Sequence, residues 1–251
     1  MEALLTKLVI GASIGFQLIV LLLLLKRRLK RRFLWFLIYI AYELIELAVR
    51  LSAAGNKHLY FKVYWLTAIG GVIFSVMAVR ESFLNVFWMY TRFRWFTRIV
   101  WGCVGIGLLY AAFRAWSSPP VHASRWGTVV VDLELAVDYS LGLVGILYFA
   151  LVRFQKIREH QWESGIISGF MTIGVLSAVG ALARFVFGPQ GFTRWVAPVA
   201  YLLAELEWVF VLSRLEKEIP EWVRERELTV DDLTRLNEYS RVLGRILGRR
   251  Q

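Results

Sequence analysis

Seven apolar runs, each about as long as a helix needs to cross a lipid bilayer, constrain this chain more than any other feature. A helix rises about 1.5 Å per residue, so roughly 20 apolar residues cross a hydrocarbon core of about 30 Å. The composition agrees, because 58% of the residues are hydrophobic, against roughly 45–50% in a soluble domain. The predicted spans are 5–25, 33–54, 60–88, 99–117, 128–152, 165–187 and 195–214.

The distribution of lysine and arginine predicts how these spans are oriented. The chain has a net charge of +11, and its basic residues are concentrated at the ends of apolar runs. The segment KRRLKRR at 26–32 carries six of them and the tail from Arg214 carries nine, whereas the opposite side carries four. Loops rich in Lys and Arg stay on the cytoplasmic side. We therefore expect an all-α polytopic protein of the cell (inner) membrane, with the N-terminus outside and the C-terminus cytoplasmic.

The C-terminal segment 216–251 has a different pattern from the seven-helix domain predicted over 1–215. Thr229 and Asp232 resemble a capping box, and apolar residues then recur at helical spacing from Leu233 to Leu247 among many arginines. This pattern predicts a basic amphipathic helix over 229–251. Such a helix lies on the anionic inner leaflet, or docks on a cytoplasmic or membrane protein partner or on a second copy of the chain. Because the charge flanks apolar runs, nucleic acid is not an expected partner.

The second span carries charged residues that lipid does not accommodate. At about 100° per residue, one face of the helix collects four polar side chains within about 60° of arc: Tyr39, Glu43, Glu46 and Arg50. An ion at the bilayer centre costs about 3 kcal/mol or more, so this face has to turn toward the bundle interior or a wet cavity. Glu46 and Arg50 have the i,i+4 spacing of an ion pair. Glu43 has no basic residue one turn away, so it needs a partner from another helix, a bound cation or a proton.

The third span carries a complementary stripe of small and polar residues. Its members follow steps of three and four: Tyr64, Thr67, Gly71, Ser75, Ala78, Ser82 and Asn85. Small residues let membrane helices approach closely, and hydroxyls form hydrogen bonds between them. The stripe therefore predicts either close packing at the bundle centre or one wall of a polar cavity.

Further ionisable residues occur in the later spans. Asp138 and Glu205 lie near the predicted midplane, as do Glu43 and Glu46, whereas Arg50, Lys62, Arg114 and Arg184 lie in the outer half or at its edge. We interpret this as an outward-facing polar pocket with acids at the floor and bases at the mouth, which Gln17 could join. The alternative is a set of structural ion pairs, with Lys62 and Arg184 reaching to the interface. The predicted ligand-binding or proton/cation site consists of Tyr39, Glu43, Glu46, Arg50, Tyr64, Arg114, Asp138 and Glu205.

The sequence carries few signs of catalysis. The three histidines, His58, His122 and His160, all fall in predicted loops, and the HExxH and GxSxG patterns are absent. The seventh span has no lysine for a retinal Schiff base. We therefore expect no enzymatic activity, no cofactor and no metal site.

Four functions remain open from the sequence. The first is a receptor or sensor whose pocket detects a ligand and whose tail signals in trans. The second is a proton- or cation-coupled transporter that uses the midplane carboxylates. The third is a structural or assembly subunit of a membrane complex, and the fourth and least favoured is an intramembrane enzyme. The receptor or sensor is the function we predict.

Overall fold

The structure, a computed structural model, describes residues 2–53, 55–87, 125–154, 161–188 and 195–214, together with the single residues 102, 105, 109, 113 and 193. The predicted span at 99–117 therefore lies outside the described residues, apart from four positions. The tail at 216–251 also lies outside them, so the division into a membrane domain and a tail stays a prediction.

Six long helices make up the described part of the chain, with one short 3-10 helix at Leu29–Arg31. The long helices are α1 (Glu2–Lys26), α2 (Leu34–Ala53), α3 (Lys57–Phe87), α4 (Arg125–Phe154), α5 (Gln161–Phe187) and α6 (Val196–Ser213). Each coincides with one of the predicted spans to within a few residues. The prediction of an all-helical fold is therefore confirmed for the described part of the chain.

Five of these helices, α1, α3, α4, α5 and α6, are long and apolar enough to cross a membrane. The α2 helix has 20 residues, but three of them, Glu43, Glu46 and Arg50, are charged. The described helices are those of a multi-pass, membrane-embedded protein.

The six helices close into a ring. Each of the first five packs against the next described helix, α6 packs against α1, and α3 also contacts α5. Between membrane helices there is little hydrophobic driving force, so close packing and hydrogen bonds have to hold such a ring together.

The crossing of α4 and α5 depends on glycine. A Cβ atom on Gly142 would lie 3.2 Å from the carbonyl carbon of Gly174. A Cβ atom on Gly174 would collide with the backbone of Asp138 and Gly142. Only hydrogen side chains allow the two backbones to approach this closely, and the approach fixes the position of Asp138.

An aromatic cluster joins α2, α5 and α6. Phe36 and Tyr39 of α2 pack against Phe170 of α5 and Trp208 of α6, with ring centroids 5.0–6.2 Å apart. The Trp208 indole donates a hydrogen bond of 3.1 Å to the carbonyl of Ile166, and Gly169 leaves room for that indole. The cluster therefore forms a rigid apolar layer across three helices.

A polar network holds the end of the bundle that contains residues 26–32. The Glu81 carboxylate of α3 accepts hydrogen bonds from the backbone N–H groups of Leu34, Trp35 and Phe36, at 2.9, 2.9 and 3.2 Å. These groups belong to the first turn of α2, where backbone donors have no partner inside the helix. A carboxylate at this position also interacts favourably with the helix dipole. Glu81 therefore fixes where α2 begins against α3.

Arginines of the basic segment also bind within this network. Arg32 Nη2 lies 2.7 Å from Glu163 Oε1 of α5, and Glu163 is only 1% exposed. Arg27 donates hydrogen bonds to the carbonyls of Ser213 and Arg214 at the end of α6. Two of the residues that the sequence analysis used for orientation thus also join helix ends.

Candidate functional site

The polar face of α2 turns toward the interior of the bundle. Tyr39 and Glu46 are 4% and 7% exposed, whereas Ile45 on the opposite face is 61% exposed. The four predicted residues Tyr39, Glu43, Glu46 and Arg50 all line one cavity of about 190 Å³. At about 1.5 Å per residue, the distance along the helix from Tyr39 to Arg50 is about 16 Å. The cavity is therefore elongated along α2.

Arg50 lies at one end of this cavity and has several partners. Its guanidinium forms an ion pair with Glu46 one turn earlier, as the spacing predicted. Its Nε atom donates a hydrogen bond of 3.1 Å to Thr67 Oγ1, and its Cζ atom lies 4.3 Å from the centroid of the Tyr64 ring. Tyr64 therefore packs against Arg50 and does not itself line the cavity.

The α3 stripe forms the wall opposite α2. Ala68, Gly71 and Ser75 line the cavity, and Ser75, Ala78 and Ser82 are buried. A Cβ atom on Gly71 would lie 3.5 Å from both Glu43 Oε1 and Glu46 Oε2. The small residues of this stripe thus leave the space that the two carboxylates occupy.

Asp138 of α4 completes the set of acids around the cavity. Ser177 of α5 donates a hydrogen bond of 2.9 Å to Asp138 Oδ2, which orients the carboxylate across the close crossing of α4 and α5. Tyr201 of α6 lines the same space. Five helices therefore contribute to the lining.

Tyr39 connects the cavity with the aromatic cluster. Its ring packs against Phe170 and Trp208, and both Tyr39 and Phe170 line the cavity. Four carboxylates lie within electrostatic range of its hydroxyl, those of Glu43, Glu46, Asp138 and Glu205. Within the described ranges, this hydroxyl makes no hydrogen bond.

Glu205 does not line the cavity, contrary to the predicted grouping of acids at one floor. It is 3% exposed and faces α1, where Ser13 Oγ and Gln17 Nε2 both donate hydrogen bonds of 2.7 Å to its Oε1 atom. Its Oε2 atom and Gln17 Oε1 are buried without a hydrogen-bond partner in the described part of the chain. The physical reason for the difference is that α6 meets both α1 and α5, and helical periodicity does not decide which neighbour a side chain faces.

Two of the predicted basic residues also lie elsewhere. Lys62 and Arg184 are exposed and are not among the described residues that line the cavity, which agrees with the alternative that they reach to the interface. Their long side chains reach outward more easily than into a packed interior. Arg114 lies outside the described residues.

Several polar contacts in the structure have no signal in the sequence. Glu81 binds residues about 46 positions earlier, and no local pattern signals a cap supplied by another helix. Glu207 of α6 accepts a hydrogen bond of 3.3 Å from Thr172 of α5, and helical periodicity does not identify this partner. Among the described residues, no group of three or more His, Cys, Asp or Glu side chains is arranged to hold a metal ion.

Comparison with known proteins shows a local similarity to a receptor. Over 104 residues the chain is 32% identical to the probable G-protein coupled receptor 156 of Homo sapiens, a match that covers 39% of this chain. The chain matches 11% of the length of that protein. No family model matches the chain, and no solved structure matches it. The chain is thus a helical membrane protein with distant, partial similarity to a receptor.

Proposed function

We propose that the chain is a small membrane receptor or sensor that binds its ligand in the cavity beside α2. The observation that carries this proposal is that α2 directs Glu43, Glu46 and Arg50 onto a cavity inside the bundle. Ionisable residues inside a membrane are expensive and usually mark a functional path or site. The local similarity to a human protein described as a probable G-protein coupled receptor supports the same class.

The proposed topology has seven spans, an external N-terminus and a cytoplasmic C-terminus in the cell (inner) membrane. The cavity then opens outward, because Arg50 lies near the C-terminal end of α2, away from the basic segment 26–32. Support comes from the excess of Lys and Arg in that segment and in the tail.

The proposed output is a contact made in trans. The segment 229–251 is a basic amphipathic helix by its pattern, and we propose that it reports to a cytoplasmic or membrane protein partner or to a second copy of the chain. The chain itself is proposed to have no enzymatic activity. Signalling then requires that ligand binding changes the conformation of the helix bundle and that the tail transmits this change to the partner.

A second candidate is a proton- or cation-coupled carrier. It is favoured by Glu205, whose Oε2 atom is buried without a partner within the described residues. Tyr39 lies in electrostatic range of both Glu205 and the cavity acids. Chains of acidic groups of this kind occur in proton pathways of pumps and transporters.

Thiol accessibility separates these candidates without knowledge of the ligand. Ser75→Cys places a thiol on the cavity wall, in a Cys103→Ser background that removes the chain's single native cysteine. Ser140→Cys is the matched control, because Ser140 is buried, bonds to its own helix backbone and does not line the cavity. A membrane-impermeant thiol reagent is applied to cells from outside and to inverted vesicles from the cytoplasmic side.

A receptor with an outward pocket is labelled at Ser75→Cys from outside only. Labelling from both sides favours the carrier, since alternating access exposes its site to each side in turn. If neither Ser75→Cys nor Ser140→Cys is labelled from either side, both candidates are contradicted. A structural or assembly role then remains.

A further inference from the structure

We infer that the ligand of the cavity is a small organic cation, an amine that carries an ammonium group on a short apolar or aromatic body. This inference rests on the proposed function and deepens it by naming the class of ligand.

Acidic side chains outnumber basic ones among the described residues that line the cavity. Glu43, Glu46 and Asp138 line the cavity, and Arg50 is the one basic side chain among the described lining residues. In a space bounded by low-dielectric walls, an excess of one sign of charge attracts ligands of the other sign. The lining therefore favours a cation.

Arg50 is held by the protein, so it is poorly placed to bind an anion. Its guanidinium is paired with Glu46, bonded to Thr67 and packed over Tyr64. An anionic ligand would have to displace Glu46 from this arrangement and then sit among the remaining carboxylates. Leaving a displaced carboxylate in a desolvated site is costly.

Tyr39 supplies the observation that points to a donor on the ligand. Its side chain is 4% exposed and lines the cavity, and no described residue forms a hydrogen bond with its hydroxyl. A polar group in a desolvated cavity is stabilised when it gains a hydrogen-bond partner. An ammonium group carries up to three N–H donors, so it satisfies the phenol oxygen and a carboxylate at the same time.

The remaining wall suits the body of an organic cation. Phe170 and Tyr201 present aromatic rings, and Val72, Val137 and Ile173 present aliphatic groups. Cations bind to aromatic faces within about 6 Å, and the aliphatic groups shield a hydrocarbon body from water. The volume of about 190 Å³ is below the range of roughly 300–1,000 Å³ typical of pockets for drug-sized ligands, so the ligand is small.

Three probes of matched shape test the charge requirement. Phenethylamine is the cation, 2-phenylethanol is the neutral analogue and phenylacetate is the anion. Each is titrated into the purified full chain in detergent, with calorimetric binding and the thermal unfolding midpoint as readouts. Magnesium chloride and potassium chloride at matched ionic strength test whether an inorganic cation is sufficient.

We expect saturable binding of phenethylamine, with the alcohol and phenylacetate at least tenfold weaker. Asp138→Asn and Glu43→Gln should each weaken binding of the amine at least tenfold. The control is Glu207→Gln, which removes an intramembrane carboxylate that does not line the cavity, and binding of the amine by this variant should equal that of wild type. Tyr39→Phe, which removes only the hydroxyl, should weaken binding of the amine severalfold.

The inference is overturned if phenylacetate binds as tightly as phenethylamine, or if none of the three organic probes binds. It is also overturned if both carboxylate variants bind the amine as wild type does. It is overturned as well if the chloride salts raise the unfolding midpoint as much as the amine does. Its failure is distinguishable from that of the proposed function. If Ser75→Cys is labelled from outside while the amine does not bind, the receptor pocket stands and the ligand class falls.

Discussion

Gln17 and Glu205 form a hydrogen bond of 2.7 Å between the first and last described helices, and each side chain also has one buried oxygen with no hydrogen-bond partner among the described residues. The pair is 7% and 3% exposed. Because α1 and α6 close the ring of helices, this contact lies at the seam of the bundle. In the membrane interior no water is present to form hydrogen bonds with its polar atoms.

Glu205→Gln should preserve or raise the stability of the bundle. The amide oxygen can accept the hydrogen bonds from Ser13 and Gln17. The amide NH2 group replaces the carboxylate oxygen that has no partner, and it is a donor close to the unpartnered Oε1 atom of Gln17. Glu205→Ala should lower stability by about 1–3 kcal/mol, since it leaves the α1 donors unsatisfied. Thermal unfolding in detergent, followed by circular dichroism, measures both variants. A loss in Glu205→Gln as large as that in Glu205→Ala would show that the carboxylate charge itself is needed.

Glu81→Ala should destabilise the start of α2. The variant removes the acceptor of three backbone N–H groups, and loss of a helix cap costs about 0.5–2 kcal/mol. The matched control is Arg80→Ala, which removes an exposed neighbour on the same helix. Hydrogen exchange of residues 34–36 should accelerate in Glu81→Ala and remain at the wild-type rate in Arg80→Ala. Equal protection in both variants would refute the capping role.

Arg32→Met should cost more than any other substitution in the basic segment. It leaves the buried Glu163 carboxylate without its ion-pair partner. Because the Arg32 side chain is 34% exposed, the cost should lie below the roughly 3–5 kcal/mol of a fully buried pair. Arg31→Met, at an exposed position, should change stability little. The double variant Arg32→Met with Glu163→Met should recover much of the loss, because no charge is then stranded. Additive losses in that double variant would argue against coupling between the two residues.

Gly174→Ala and Gly71→Ala should differ in their effect on stability. The added methyl at Gly174 meets the backbone of α4 and forces the helices apart, whereas the methyl at Gly71 meets carboxylate oxygens at 3.5 Å, an ordinary contact distance. We expect Gly174→Ala to lower the thermal unfolding midpoint, since overpacking typically costs about 1–3 kcal/mol. Gly71→Ala should keep the wild-type midpoint. A stable Gly174→Ala variant would show that the crossing of α4 and α5 is wider.

The inward turn of α2 followed from helical periodicity and the cost of ions in lipid. Those two arguments also directed the α3 stripe inward, because glycine, alanine and serine permit close approach. These arguments were sufficient to orient a helix face when the residues on that face fit only one environment, the interior of the bundle. Tyr39, Glu43, Glu46 and Arg50 are such a case.

Contacts between distant segments could not be obtained in this way. Glu81 caps α2, Arg32 pairs with Glu163, and Glu205 binds α1, and each contact depends on which helices become neighbours. Periodicity gives the direction of a side chain relative to its own helix, but it does not identify the helix that the side chain meets.

The central claim is that the charged face of α2 lies against a cavity and the opposite face against lipid. Spin labels at Glu43→Cys and Ile45→Cys, each in the Cys103→Ser background and in lipid bilayers, test it most directly. We predict that the Ile45 label collides mainly with oxygen dissolved in lipid, and that the Glu43 label is shielded from oxygen and reached by a water-soluble nickel complex. Higher oxygen accessibility at Glu43 than at Ile45 would contradict the account.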